Sequence, residues 1–336
     1  MTEQRKHTTL IKLLCIGLVL VFAPLAALQA KTIKIATLSP EGTYWMKQMR
    51  AGAKEIKEKT GGRVKFKFYP GGVMGNDENV LRKMRVGQLQ GGAITIGSLA
   101  AAVPDSTIYG LPFLFSSLEQ AEKIRKTTDP MLIDEMAKKG YISFGIAQGG
   151  FTYLMSVNEI HNFDDLRKQK SWVPENSDVA LAVYDYIGIT PISLPLSDVL
   201  TGLQTGLINT IFTSPIGALA LQWHTHINHV VDMPLNYLSA TMIIDKKVFD
   251  SLSEADQKTV REVMGKVYRN IDSQNKKDNI AAREALIKKG VKFHKLADAD
   301  RAEWKKAGDV VIEQMRRKYQ YTPALYNAVT AGRHPE

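Results

Sequence analysis

The sequence is 336 residues long, carries a formal net charge of +10 and contains a single cysteine. That cysteine, Cys15, lies in an apolar N-terminal run, so the rest of the chain has no disulfide, no cysteine nucleophile and no zinc–thiolate site. The positive charge is dispersed over segments such as KKDN, IKKG and MRRK, which read as solvated helix faces and argue against a nucleic-acid footprint.

Residues 1–30 read as a secretory signal peptide: Arg5, Lys6 and Lys12 flank the apolar run LIKLLCIGLVLVFAPLAAL, which closes on LQA. Leu28 is an imperfect residue for the cleavage site, and an uncleaved anchor is the alternative. The leader takes three basic groups and one acidic group, Glu3, with it and leaves a periplasmic chain of net charge +8.

Residues 31–150 read as the first part of one lobe. TIKIATL alternates as a strand, TYWMKQMRAGAKEIKEKTGG is a helix stopped by Gly61 and Gly62, and RVKFKFYP is a second strand. Strand–helix–strand at this spacing predicts a partly parallel sheet and an α/β fold. A helix over 78–86, a strand GAITIGSL, a helix over 118–138 and a strand YISFGIA continue the pattern. Residues 151–237 read as a second lobe, with strands YLMSVN, KSWVP, TPISLP, INTIFTS and NHVVDMP interleaved with helices VALAVYDYIG and LSDVLTGLQTGL. Residues 238–252 hold a strand, LSATMIID, that returns to the first sheet. Residues 253–290 stay helical from a capping box at Ser253 and Asp256 to a stop at Gly290, with Val260, Val263, Met264, Val267 and Ile271 as the apolar stripe. Some 35 residues at 1.5 Å each span about 50 Å, longer than one lobe of this size. Residues 291–336 are expected to pack back on the lobes.

Chemistry-bearing motifs are sparse. YPGGVMG lacks the lysine and spacing of a phosphate loop and reads as a strand-to-helix turn. His224, His226 and His229 could begin a zinc or copper site, but only Asp232 lies near as a further local ligand, so the segment reads as polar surface and no metal is expected. No GxSxG or HExxH motif occurs, and the acidic pairs Asp164/Asp165 and Glu175/Asp178 sit at helix starts. No catalytic residue and no cofactor is expected.

Several segments together resemble the extracytoplasmic solute receptors of TRAP transporters: YPGGVMGNDENVLRKMRVGQL, YGLPFLFSSLEQA, FDDLRKQKSWVP, GITPISLPLSDVLTGLQTGLINTIFTSP and FDSLSEADQKTVREV. The likeness runs from about Lys31 to about Tyr319. It implies a two-lobe periplasmic binding protein with a long helix across both lobes. The solute would be held between the lobes and handed to an integral-membrane permease. It also implies an arginine at the position of Trp172 for a bidentate bond to the solute's carboxylate, and often a second at Thr152. Asparagine is common at the position of Ser214, and a polar or acidic residue at that of Gly97.

This chain therefore lacks the expected pocket cations. Desolvating a carboxylate without a cation costs several kcal/mol, whereas an indole against an apolar solute gains about 1.5–3 kcal/mol. A pocket of Trp172, Leu196 and Phe212, joined by Tyr44, Trp45 and Tyr237, would suit an uncharged, apolar or aromatic solute. So sparingly soluble a ligand would call for a periplasmic accessory protein. Three alternatives stay open: Trp172 packs as core, an anion is held by Arg167, Lys168 or Lys170 from a shifted position, or the fold serves as a ligand-free protein–protein adaptor.

Overall fold

The computed structural model describes residues 30–175, 177–331 and 333, so the signal-peptide reading lies, but for residue 30, outside the described residues. The chain begins with β1 (Lys31–Thr37), α1 (Tyr44–Lys59), β2 (Val64–Tyr69), α2 (Asp77–Arg85) and β3 (Gly91–Thr95). Parallel pairing of β1 with both β2 and β3 makes the two strand–helix–strand units that the spacing predicts. α1 starts where the Thr43 hydroxyl accepts from the Met46 amide at 3.3 Å, and it buries Met46, Met49 and Ile56 at helical spacing.

GAITIGSL differs from expectation. The strand ends at Thr95 and the chain turns into a short 3₁₀ segment, Ile96–Leu99. The buried Asp77 carboxylate causes this, accepting from the Thr95 amide (3.0 Å), the Thr95 hydroxyl (2.7 Å) and the Ser98 hydroxyl (2.9 Å). These bonds draw the backbone out of the sheet.

α3 (Leu118–Lys138) leads into β4 (Tyr141–Phe151), which crosses into the second lobe. There follow β5 (Tyr153–Ser156), α4 (Phe163–Arg167), β6 (Trp172–Pro174), α5 (Asp178–Ile187), β7 (Ile192–Leu194), α6 (Val199–Gln204), β8 (Thr210–Thr213), α7 (Pro215–Ala220) and β9 (His229–Val231). β10 (Tyr237–Asp245) then returns to lie antiparallel between β3 and β4, completing the sheet order β2-β1-β3-β10-β4. After α8 (Lys246–Asp250) and α9 (Glu254–Lys288), β11 (Lys292–His294) closes the second sheet, β11-β9-β5-β8. β6 and β7 form a parallel pair bridged to β8 through Ser171 and Thr210. The chain ends in α10 (Asp298–Tyr319) and α11 (Pro323–Thr330).

α9 is one unbroken helix of 35 residues, about 50 Å long, and it spans both lobes. At its start the Ser253 hydroxyl accepts from the Asp256 amide (3.2 Å), and the Asp256 carboxylate takes a bidentate bond from Arg63 of lobe I (3.0 and 2.8 Å). Near its end Arg283 holds Asp232 of lobe II (2.8 and 2.7 Å), and Leu286 is buried in the same cluster as Trp172 and Trp223. Between these anchors the Asn275 and Asn279 amides donate to the carbonyls of Gln148 (2.7 Å) and Gly149 (3.2 Å) at the end of β4. Gly150 adopts φ +85°, and a Cβ there would lie 2.7 Å from the Asn279 amide group, so glycine alone lets strand and helix meet.

Candidate functional site

Trp172 opens β6, directly before the turn into α5. Its ring is 2% exposed. The ring lies 5.5 Å from Phe212 and 5.4 Å edge-on from Trp223, and its Nε1 donates to the Leu194 carbonyl of β7 at 3.0 Å. The one polar atom of the indole is thus spent on a strand neighbour, and its carbon surface is buried against two aromatic rings. Trp172 therefore fills its corner of lobe II as core and leaves no free face toward a cleft.

The other expected pocket residues separate into groups. Phe212 and Leu196 are half-buried and pack with the Trp172 cluster. Ser214 is buried and caps α7, accepting from the Gly217 amide at 3.3 Å. Thr152 is buried where β4 passes into β5; its amide donates to the Asn236 carbonyl (2.9 Å), its carbonyl accepts from the Leu235 amide (2.9 Å), and its hydroxyl bonds the Asn236 side chain. Three residues stand apart from a pocket wall, which corrects the expected aromatic grouping. Tyr44 and Trp45 pack on the lobe I core, where Trp45 meets Tyr268 edge-on at 5.6 Å. Tyr237 lies inside the same lobe against Phe115 and Phe151 and accepts from the buried Arg125 at 2.9 Å. All three are held by packing partners within one lobe. Gly97 is exposed in the turn after β3, with open space where a side chain would stand.

The basic residues considered for a shifted anion site are engaged at the surface. Arg167 donates to the Ile187 carbonyl (3.0 Å) and pairs with Asp164 (2.5 Å), Lys168 pairs with Asp165 (3.2 Å), and Lys170 donates to the Gly206 carbonyl (2.9 Å). At the start of α5, burial works against the charge of Asp178, but Lys318 (2.6 Å) and the Tyr319 hydroxyl outweigh it and hold its carboxyl below the ordinary value. Across the lobes, Asn76 donates to Glu175 at 2.7 Å.

A cavity of about 70 Å³ lies at the junction of the lobes. Lobe I supplies Gly110, Pro112 and Phe113; lobe II supplies Leu154, Leu166, Phe212, Leu235 and Asn236; α5 supplies Val179, Ala180, Val183, Tyr184 and Ile187; and α10 supplies Trp304, Ala307 and Gly308. Among the described residues, no Asp, Glu, Lys, Arg or His borders it. Burial pushes the Tyr184 phenol up to about 12, so it is neutral at physiological pH. The Asn236 amide is already committed to Thr152 and to the Gly110 carbonyl (3.4 Å). Phe113 holds φ +51°, and a Cβ on Gly308 would lie 2.5 Å from its ring, so a glycine in α10 is what lets that helix close the cavity. Phe212 belongs to both the cavity and the Trp172 corner.

Of these walls, Phe212 is the one whose residue type and place in INTIFTS point to a pocket, whereas Pro112 and Phe113 of the LPF segment carry no such local signal. Trp304, Ala307 and Gly308 lie in a helix whose own pattern says only that one face is buried.

Two α/β lobes joined by crossing strands and a shared helix, with an apolar space at their junction, define a binding protein. The model of the bacterial extracellular solute-binding protein family 7, DctP, matches residues 35–318, and the chain belongs to that family. It is accordingly an extracytoplasmic solute-binding receptor of the TRAP type and not an enzyme. The C4-dicarboxylate-binding periplasmic protein DctP of Rhodobacter capsulatus is 24% identical over 282 residues, 82% of this chain and 84% of that protein. The uncharacterized protein YiiZ of Salmonella typhimurium is 27% identical over 158 residues, 46% of this chain and only 48% of that protein. Among solved structures, a TRAP periplasmic solute-binding protein from Sulfitobacter sp. NAS-14.1 with bound β-D-galacturonate superposes with a TM-score of 0.82 at 20% identity, over 90% of this chain and 100% of that one.

Proposed function

We propose that this receptor captures an uncharged, largely apolar or aromatic solute in the periplasm, after removal of its signal peptide, and passes it to an integral-membrane permease. The observation that supports the reading most is the interlobe cavity, whose described lining residues carry no fixed charge, beside a corner filled by an indole. A carboxylate entering this space would lose its hydration and find no cation, at a cost of several kcal/mol. An apolar group entering it gains about 25 cal/mol for each Å² removed from water.

An apolar cavity of roughly 150 Å³ holds benzene. The 70 Å³ seen here is smaller than that, so a solute would occupy it only in part unless the walls move. The helices α5 and α10 and the Gly110–Phe113 strap belong to different parts of the chain, and solute binding would couple to the relative position of the lobes through them. A solute of this kind is sparingly soluble, which favours delivery by a periplasmic accessory protein.

The test has two arms. Gently purified receptor is extracted and the extract read by mass spectrometry. Calorimetry then compares uncharged aromatic and alkyl compounds with C4-dicarboxylates and uronic acids. Apolar compounds are expected to bind, and Ala307→Leu on α10 or Ala180→Leu on α5 should weaken them at least about tenfold by filling the space. Tight binding of a small organic acid would overturn the reading. Binding of nothing at all would overturn it in favour of an adaptor.

A further inference from the structure

The three histidines that cluster in the sequence are parted in the fold. His224 contacts the Ala218 carbonyl at 3.2 Å in the turn after α7, whereas His229 lies in β9 and meets a different set of partners. Its ring stands edge-on to that of His294 in β11 at 6.2 Å, and His294 in turn lies 5.2 Å from the ring of His161. Glu159 completes the group: its Oε1 is 3.6 Å from His161 Nε2 and 3.9 Å from His294 Nδ1. Ligating atoms of Glu159, His161 and His294 all lie within 4.8 Å of one another.

One nitrogen carries the argument. His294 Nε2 lies 2.8 Å from the Ile160 carbonyl, and a carbonyl only accepts, so Nε2 bears the hydrogen. In the neutral ring Nδ1 then presents a lone pair. That atom is buried without a hydrogen-bond partner, and the nearest charged group facing it is the Glu159 carboxylate, another acceptor. Two acceptors face each other at a separation too long for a hydrogen bond. Such a gap calls for a cation. A backbone carbonyl fixing one histidine nitrogen while the other stays free is the arrangement that orients a metal ligand. Here the tripeptide Glu159–Ile160–His161 supplies that carbonyl and two of the three ligands.

We infer that Glu159 Oε1, His161 Nε2 and His294 Nδ1 form a binding site for a borderline divalent transition-metal ion, of which zinc is the probe. Bonds of about 2.0–2.1 Å in a tetrahedral site put ligand atoms on the order of 3.4 Å apart, so the two distances of 3.6 and 3.9 Å need only small side-chain rotations. Glu159 and His161 are exposed, which leaves an entry path and a fourth position for water. Lys292, in register with His229, adds a positive charge nearby and keeps the affinity below that of a closed structural site. The ion would tie β11 to the loop after β5, on lobe II, and its binding is independent of the solute.

Chelator-treated receptor is titrated with zinc sulfate by calorimetry, with melting temperature as a second readout. One zinc per chain and a raised melting temperature are expected. Glu159→Gln and His161→Ala, both at exposed positions that keep the fold, should each lower affinity at least about tenfold. His226→Ala should change nothing. Nitrogen NMR of the zinc-loaded protein should show His294 bound through Nδ1. The inference is overturned by absence of zinc binding, by equal binding in the parent and both variants, or by half an ion per chain. A His294 doubly protonated against Glu159 in the presence of zinc would overturn it as well.

Discussion

Lobe I and lobe II treat a buried polar corner in opposite ways. In lobe I, Arg125 is 4% exposed and uses its guanidinium fully: it binds Asp129 (2.9 and 3.3 Å), Asp272 of α9 (3.0 Å), the Tyr237 hydroxyl (2.9 Å) and the Ile146 carbonyl (2.6 Å). In lobe II, the position where the family resemblance implies an arginine holds Trp172, bonded once and otherwise packed on carbon. This fold can bury a cation, then, but only where carboxylates, a hydroxyl and a carbonyl wait for it. Among the described residues, Trp172 has one hydrogen-bond partner, the Leu194 carbonyl, and no carboxylate is paired with it. The absence of charge at the interlobe cavity is a property of the whole neighbourhood and not of one substituted side chain.

Trp172→Arg is the strongest way to break that contrast. It removes an indole, worth about 3–5 kcal/mol, and buries a charge without a partner for several more, which together reach the total stability of a typical domain. Loss of soluble, cooperatively folding protein is expected by circular dichroism. A variant that folds normally and gains affinity for an organic acid would show that the corner is an ordinary cation seat after all. Arg125→Met probes the other side. It strands Asp129 and Asp272 and should cost about 3–5 kcal/mol in urea unfolding. A cost below about 1 kcal/mol would mean that the network contributes little beyond packing.

The smallest expected effect lies at the helix anchor. Hydrogen bonds from Arg63 hold the Asp256 carboxyl below its ordinary value, so the folded state favours the ionised form. Stability from this pair is fully present above the unfolded carboxyl pKa and is lost as pH falls through the lower, folded one. The Arg63 side chain is partly open to solvent, which screens the pair and keeps its contribution small. Arg63→Gln should therefore be slightly less stable at neutral pH, and the gap between the two proteins should close on acidification below about pH 4. A gap independent of pH would assign the loss to packing.

Much of the fold was legible because local and global signals agree. The alternation of β1 and β2, the Thr43 cap with the stripe of α1, and the Ser253 start of α9 each follow from a few neighbouring residues. GAITIGSL misled because the group that ends β3, Asp77, stands 18 residues before Thr95 in a different element. The site was less legible for the same reason on a larger scale. Tyr44, Trp45 and Tyr237 carry the right chemistry for an apolar pocket, yet which way an aromatic ring faces depends on partners such as Tyr268 and Arg125 that its own segment does not name. The cavity needs Phe113 and Gly308 to meet, and no periodicity links residues so far apart.

The polar middle of α9 sets how the lobes can move. Its ends are fastened by bidentate ion pairs and buried carbon, and Asp272 at mid-length is tied to Arg125 and to the Gln148 amide; just beyond, at the end of β4, it touches the strand through the amides of Asn275 and Asn279 and through a bare glycine. An amide bond of this kind contributes about 1 kcal/mol and can be re-made to a neighbouring carbonyl or to water, whereas parting Leu286 or Val267 from its neighbours would wet apolar surface with nothing in return. The helix is therefore held to lobe I as far as Asp272 and to lobe II from Arg283 onward, with exchangeable amide bonds in between. A twist between the lobes at that stretch would cost less than one that parts buried carbon.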